Sequence, residues 1–264
     1  MNDSVLLREA RGSVLRLTLN RPAKLNAFDE ALTEALIVAL DDAANDTNVR
    51  ALVLRGAGRS FSVGQDLEAF VRVQSGSQSV SVADHLGRGY NRLTLKIRAL
   101  EKPVIASLGG ITAGFGLSLA LACDVRLAAD DATFTLGFSK IGLIPDGGGS
   151  LFLPLFAGLG RALELAWTSD RIEAAEAYRV GLINQIAPPE QLEQRTLDFA
   201  ARLAEMSPVA LALTKRAFNS ALLPQLTQWL QIEAQLQQEA AEAPDFREGM
   251  QAFFEKRPAV FASR

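Results

Sequence analysis

Hydrophobic positions fall into two rhythms along this chain, one of period two or continuous runs and one of helical spacing. Val5 to Arg8 and Val14 to Asn20 are strand-like runs either side of Ala10-Arg11-Gly12-Ser13, which predicts an opening hairpin ended by Arg21-Pro22. From about Asp29 to Ala44, Leu32, Leu36, Ala39 and Leu40 recur on one helical face, and Val49 to Leu54 follows as an apolar run of strand length. The alternation repeats: a helix from about Ala83 to Leu100, a strand at Val104 to Leu108, a loop at Gly109 to Gly116, a helix from Leu117 to Ala122 and a strand at Val125 to Ala128. Strands alternating with helices need crossover connections, so the pattern predicts α/β architecture with a parallel sheet. Arg59 to Gln65 and Ser75 to Val82 are polar and rich in glycine or serine, and are expected to be loops, the second mobile.

After Pro188-Pro189-Glu190 the strand signals stop. Amphipathic helices are expected at Leu192 to Met206, Val209 to Ser220, Leu226 to Ala243 and Asp245 to Arg257. The last carries a stripe of Phe246, Met250, Phe253 and Phe254, suited to packing within the chain or on a neighbouring subunit. The expected organisation is therefore a core over residues 1–190 and a helical, oligomer-forming region over 191–264.

Composition narrows the function. The 264 residues can bury a large core without staples, and a net charge of −3 with no basic block argues against a nucleic-acid groove. No apolar run reaches the ~18 residues of a membrane span. Cys123, the single cysteine, lies within an apolar run and is expected to be a buried, inert thiol, with no disulfide inside the chain. Met1-Asn2-Asp3-Ser4 lacks the pattern of a signal peptide, so the expected location is cytoplasmic.

Candidate chemistry centres on Gly142-Leu-Ile-Pro-Asp-Gly-Gly-Gly-Ser150, which sets Asp146 against three glycines. Pro145 stiffens the turn while the glycines permit close backbone approach, so Asp146 can either face a ligand or cap the helix that starts near Ser150. Two glycine-bearing loops, Gly58 to Asp66 and Gly109 to Gly116, each follow an apolar strand; they are tight turns or cradles of free N–H groups. The second leads into a helix, whose positive end would stabilise an oxyanion. Neither matches a Walker loop or a dinucleotide fingerprint. His85, the only histidine, has no serine or cysteine elbow to serve and is not expected to be a catalytic base.

In this order the parts resemble the enoyl-CoA hydratase/isomerase (crotonase) superfamily over nearly the whole chain. The resemblance is carried by Leu19 to Pro22 with Asn26-Ala27, Phe61 to Asp66, Lys102 to Ala106, Ala120 to Asp124 and Gly142 to Gly149. Phe138 to Asp146 and the tail from Phe246 to Arg257 look like the branch that isomerises ring-epoxidised phenylacetyl-CoA. The resemblance implies a spiral of ββα units with a helical C-terminal trimerisation region, assembled as a homotrimer or a dimer of trimers. It also implies an acyl-CoA thioester as substrate, with coenzyme A part of that substrate and no metal or separate cofactor.

By position, the resemblance places the two oxyanion-holding N–H groups on Val63 and Phe115, with Gly64, Gly114 and Gly116 giving backbone freedom. It places coenzyme A against Lys24, Leu25, Gly64 and Asp66, and against Phe253 and Lys256, often from an adjacent subunit. Lys24 can equally be a solvated loop lysine and Asp66 a helix cap. Phe115, Leu117, Phe138, Ile141 and Leu143 would wall the acyl pocket or fill the core. At the two positions where hydratases carry glutamates this chain has Ser118 and Phe138, neither of which can be a carboxylate base. That leaves Asp146 as a lone acid, which fits proton shuttling in an isomerase better than hydration. A hydratase or other lyase of the same fold is the second expectation, and a non-catalytic trimer that binds CoA thioesters is the third.

Overall fold

The computed structural model describes residues 4–74 and 81–261, so most of the loop expected at Ser75 to Val82 lies outside the described residues. The opening hairpin pairs β1 (Leu6–Arg11) antiparallel with β2 (Val14–Leu19). α1 (Glu30–Asn45) follows, capped by the Asp29 carboxylate on the Leu32 N–H at 2.9 Å. Its buried face carries Leu32, Leu36, Ala39 and Leu40, the residues whose spacing predicted it.

Three rounds of strand, short strand and helix come next. The first is β3 (Ala51–Gly56), β4 (Ser60–Ser62), then α2 (Leu67–Gln74), α3 (Val82–Arg88) and α4 (Tyr90–Ala99). The second is β5 (Val104–Leu108), β6 (Ile111–Ala113) and α5 (Phe115–Ala122). The third is β7 (Val125–Ala129), β8 (Thr133–Thr135), a short 3-10 turn at Ser139–Ile141 and α6 (Gly149–Ala157). The chain continues through α7 (Leu159–Thr168), β9 (Ile172–Glu173), α8 (Ala174–Arg179) and β10 (Gln185–Ala187) to α9 (Pro189–Glu205), α10 (Pro208–Leu222), α11 (Leu226–Glu242) and α12 (Pro244–Glu255).

The long strands form one sheet in the order β1-β2-β3-β5-β7-β10, parallel except at the hairpin. The short strands form a second, β4-β6-β8-β9, so successive rounds add one strand to each sheet. This is the ββα spiral that the resemblance implied.

Two differences from the sequence reading have plain causes. The segments expected as loops at Arg59 to Gln65 and Gly109 to Gly116 contain β4 and β6, three residues each and too short to show a period. The helix expected from Ala83 to Leu100 divides at Gly89, whose ψ of −86° takes the chain out of the helical path. α9 packs across β2, β3, β5, β7 and β10, and its Thr196 hydroxyl donates to Ser107 of β5 at 3.2 Å. The helices beyond residue 190 therefore begin as a layer of the core. α10, by contrast, buries none of its residues fully and is tied down by Lys215, which donates to Asp124 (2.8 Å) and to the Ile97 carbonyl (2.8 Å).

Candidate active site

Three chain segments meet beside the start of α5: the exit of β4, the β6–α5 corner and the turn before α6. At the first, local pairing with residues 25–28 consumes most backbone groups. Val63 N–H donates to the Leu25 carbonyl (3.2 Å), Phe28 N–H to Gly64 (2.7 Å) and Asp66 N–H to Phe28 (2.9 Å). Val63 is thus not a free donor, which corrects the expectation; the unpaired N–H in this loop belongs to Gln65, two residues on. The Phe115 N–H is also unpaired, as the first turn of a helix requires. Gly64, at φ +88°, brings the two together: a β-carbon there would sit 2.9 Å from the Phe115 nitrogen. Gly114, at the N-cap of α5, and Gly116, whose added β-carbon would lie 2.7 Å from the Ser62 carbonyl oxygen, let α5 press against the β4 exit.

The donors rest on an aromatic base. Tyr90 stacks on Phe115 with centroids 3.6 Å apart, and Phe28 meets Phe115 edge-on at 5.1 Å. The Tyr90 hydroxyl donates to the Gln65 side-chain oxygen, and His85 Nε2 lies 2.9 Å from the same atom. Burial lowers the His85 pKa, so the ring is neutral near pH 7. Burial, then the charge of Asp146, pushes the Tyr90 phenol well up. A cavity of about 880 Å³ opens beside Gln65, Phe70, His85 and Tyr90. Asp146 is not in its wall; Tyr90 joins the two.

Asp146 is buried at 6% exposure on the turn before α6. A β-carbon on the next residue, Gly147, would lie 2.6 Å from the Phe115 ring, so this turn lies directly on the first turn of α5. One carboxylate oxygen accepts a long hydrogen bond from Gln237 Nε2 (3.3 Å), and the other, Oδ1, has no hydrogen-bond partner among the described residues. Side-chain capping by Asp146 fails: the N-cap of α6 is Gly148, the Gly148 and Ser150 N–H groups go to Glu233 of α11, and the Gly149 N–H goes to the main-chain carbonyl of Asp146 (2.9 Å) rather than to its carboxylate. Glu233 accepts from Gly148 N–H (2.7 Å), Ser150 N–H (3.0 Å) and the Ser150 hydroxyl. Asp146 is therefore not a lone acid, as the sequence reading had it. Burial, then the Glu233 charge, pushes its carboxyl well above the ordinary value, against a small opposing pull from Gln237.

Sequence reasoning missed Gln65, Tyr90, Glu233 and Gln237. Gln65 differs from Val63 only by register in a glycine-flanked loop, and no residue type marks that. Glu233 and Gln237 had a signal. Glu233 and Gln237 interrupt the buried stripe of Leu226, Leu230 and Ala234 on α11, and a polar residue on an apolar face demands a partner. Ser118, expected where a hydratase acid would stand, is fully buried under the Gly147–Gly149 turn with its hydroxyl unpartnered.

The remaining expected residues divide. Asp66 is a cap: Oδ1 accepts the Ala69 N–H (3.0 Å) and Oδ2 pairs with Arg21 (2.9 Å). Burial pushes its carboxyl up, but those partners outweigh it and hold the group below its usual value. Lys24 pairs with Glu68 on the surface (2.7 Å), and the Leu25 carbonyl is taken by Val63. Leu117 and Phe138 are core residues, and Leu117 faces Phe134, Leu153 and Leu165. Ile141 lies against α12, where a β-carbon at Gly249 would fall 2.5 Å from its Cα. Phe253 and Lys256 do come together, with Lys140, Ile141 and Arg257, around a cleft of about 510 Å³.

Two main-chain N–H groups brought close together beside a buried acid, on a ββα spiral, are an arrangement that can hold an oxyanion and move a proton. Residues 9–264 match the family model described as enoyl-CoA hydratase/isomerase. The chain is 38% identical to the 1,2-epoxyphenylacetyl-CoA isomerase of Escherichia coli K12, covering 98% of both chains. It is 40% identical to a Rhodobacter capsulatus protein named "Probable enoyl-CoA hydratase", over 94% of both. The crystal structure of an enoyl-CoA hydratase from Mycobacterium avium subsp. paratuberculosis K-10 superposes with a TM-score of 0.86 at 36% identity, over 98% of this chain and 99% of that one. The chain belongs to the enoyl-CoA hydratase/isomerase family, whose crotonase fold it shares. Among the described residues no helix is long and apolar enough to cross a membrane.

Proposed function

We propose that the protein is an acyl-CoA isomerase in which Asp146 is the only proton carrier and the Gln65 and Phe115 N–H groups hold the thioester oxygen. The observation that carries this reading is the pairing of one buried, under-bonded carboxylate with two unpaired backbone donors, at a site where Ser118 and Phe138 supply no acid for activating water. With the thioester oxygen on the two N–H groups, the electrons of an α C–H bond move into the enolate as the proton passes to Asp146. Return of that proton to the γ-carbon shifts the double bond; return after ring opening would complete the isomerisation of a ring epoxide. Nothing is added or lost, so the reaction balances without a metal or a redox cofactor. Each main-chain donor is worth ~2.7–4 kcal/mol of transition-state stabilisation. The 1,2-epoxyphenylacetyl-CoA isomerase among the relatives supports a ring-bearing acyl group. The Lys140, Phe253, Lys256 and Arg257 cleft suits a phosphorylated, aromatic coenzyme end.

Supplying a 3-enoyl-CoA and, separately, crotonyl-CoA separates the two chemistries of the family. The reading expects 2-enoyl-CoA from the first and hydration of the second at least a hundredfold slower. Hydration as fast as isomerisation would establish a hydratase instead.

A further inference from the structure

α11 reaches the catalytic turn with two polar side chains one helical turn apart, and between them they hold six backbone or side-chain groups of residues 144–150. Gln237 reads the Ile144 peptide groups in both directions, accepting its N–H (2.8 Å) and donating to its carbonyl (2.8 Å), and touches Asp146 with the same amide. Glu233, 3% exposed, takes the Gly148 N–H, the Ser150 N–H and the Ser150 hydroxyl. These donors, and the positive end of α6 behind them, favour the anionic form of Glu233. Asp146 has no comparable support, since Oδ1 is unpartnered and Oδ2 has a single long bond. Where two carboxylates share a buried site, the proton goes to the one with fewer donors.

We propose that Glu233 is a positioning residue: its fixed negative charge, held on the α6 terminus, makes Asp146 a stronger base than an aspartate would be alone in this turn. The proposal rests on the reading of Asp146 as the proton carrier. The groups facing Asp146 from the elements packed on it are Glu233 and Gln237 of α11 and Tyr90 of α4, with Ser118 of α5 under the glycines that follow it. Tyr90 is neutral near pH 7 and Ser118 does not ionise there, so Glu233 is the neighbour among them whose hydrogen bonds favour a charge. The direction agrees with the site's electrostatics: burial raises both acids, and the three hydrogen bonds pull Glu233 part of the way back while Asp146 stays well up. On an ordinary exposed turn an aspartate would be ionised but a weak base; here burial, then the Glu233 charge, raises the same side chain and makes it a stronger one.

The test is the pH dependence of kcat/KM for 3-enoyl-CoA isomerisation in wild-type protein, Glu233→Gln, Glu233→Asp and Asp146→Asn. Loss of the charge in Glu233→Gln should move the acid limb about one pH unit lower, whereas Glu233→Asp, which keeps the charge, should leave it near the wild-type position despite any loss of thermal stability. An acid limb unmoved in Glu233→Gln, with only the melting temperature reduced, would reduce Glu233 to a brace and overturn the proposal. If that variant does not fold, infrared titration of the unliganded wild type against Asp146→Asn decides: the protonated-carboxyl band near neutral pH should vanish in Asp146→Asn, and its persistence there would put the proton on Glu233 and overturn the proposal. Undiminished turnover by Asp146→Asn would instead remove the proton-carrier reading itself, and this proposal with it. An inactive Asp146→Asn combined with an unmoved Glu233→Gln limb would sink the Glu233 role alone.

Discussion

Asp146 is an aspartate kept away from water with one weak hydrogen bond, and that arrangement costs folding energy. Its carboxyl is pushed up in the folded state, by burial first and then by Glu233. A group whose folded pKa lies above its unfolded value stabilises the fold fully below the unfolded value, near 4, and loses that contribution as pH rises through the folded one. Asp146→Asn, which cannot ionise, should therefore melt higher than the wild type at pH 7.5, by on the order of 1 kcal/mol or ~2–4 °C, and match it near pH 4.5. Thermal melts at the two pH values check this; equal gaps at both would mean that Asp146 is not strained by its charge. The same residue shows what one sequence can reveal. Its candidacy was legible from Pro145, the three glycines and the lack of acids at 118 and 138, but its neighbour in space is 87 positions away by number, at Glu233, and no local pattern joins them.

Among the elements, long apolar runs fixed their own identity. β5, α1 and α11 lie within a residue or so of the segments expected from periodicity, because burial of a whole face leaves a repeating signature. The second sheet left none, since its strands are two or three residues long and draw their order from pairing with one another. The proposed oxyanion donors are main-chain atoms, so a one-residue or two-residue shift such as Val63 to Gln65 is set by which N–H groups the Leu25–Phe28 segment consumes. α10 shows the opposite case, an element visible in sequence whose partner is not. It exposes Val209, Leu213, Phe218 and Leu222, and apolar side chains of that size in one helix are expected to be covered by another subunit. We propose this face as the subunit contact of the homotrimer, singly or paired as a hexamer, that the family resemblance implies. Sedimentation should find three or six copies for the wild type and smaller species for Phe218→Asp; a wild-type monomer at micromolar concentration would contradict the inference.

For the whole molecule, the spiral matters because each round ends at the same edge. The exits of β4 and β6 and the turn before α6 are consecutive in three rounds of the fold, so their loops stack beside α5 without any long insertion. α11 then closes the turn from outside, bringing Glu233 and Gln237 to a site built by residues 25–149. The proposed site is thus divided between the spiral, which supplies the two N–H groups and Asp146, and the helical segment, whose Glu233 and Gln237 hold the Asp146 turn in place. The measurement that bears most directly on this account is deuterium uptake from D2O at the α- and γ-carbons of a bound 3-enoyl-CoA, followed in a single turnover for wild type and Asp146→Asn. The account predicts uptake by the wild type and a loss of at least a thousandfold in the variant with coenzyme A binding retained; uptake by Asp146→Asn at the wild-type rate would contradict it.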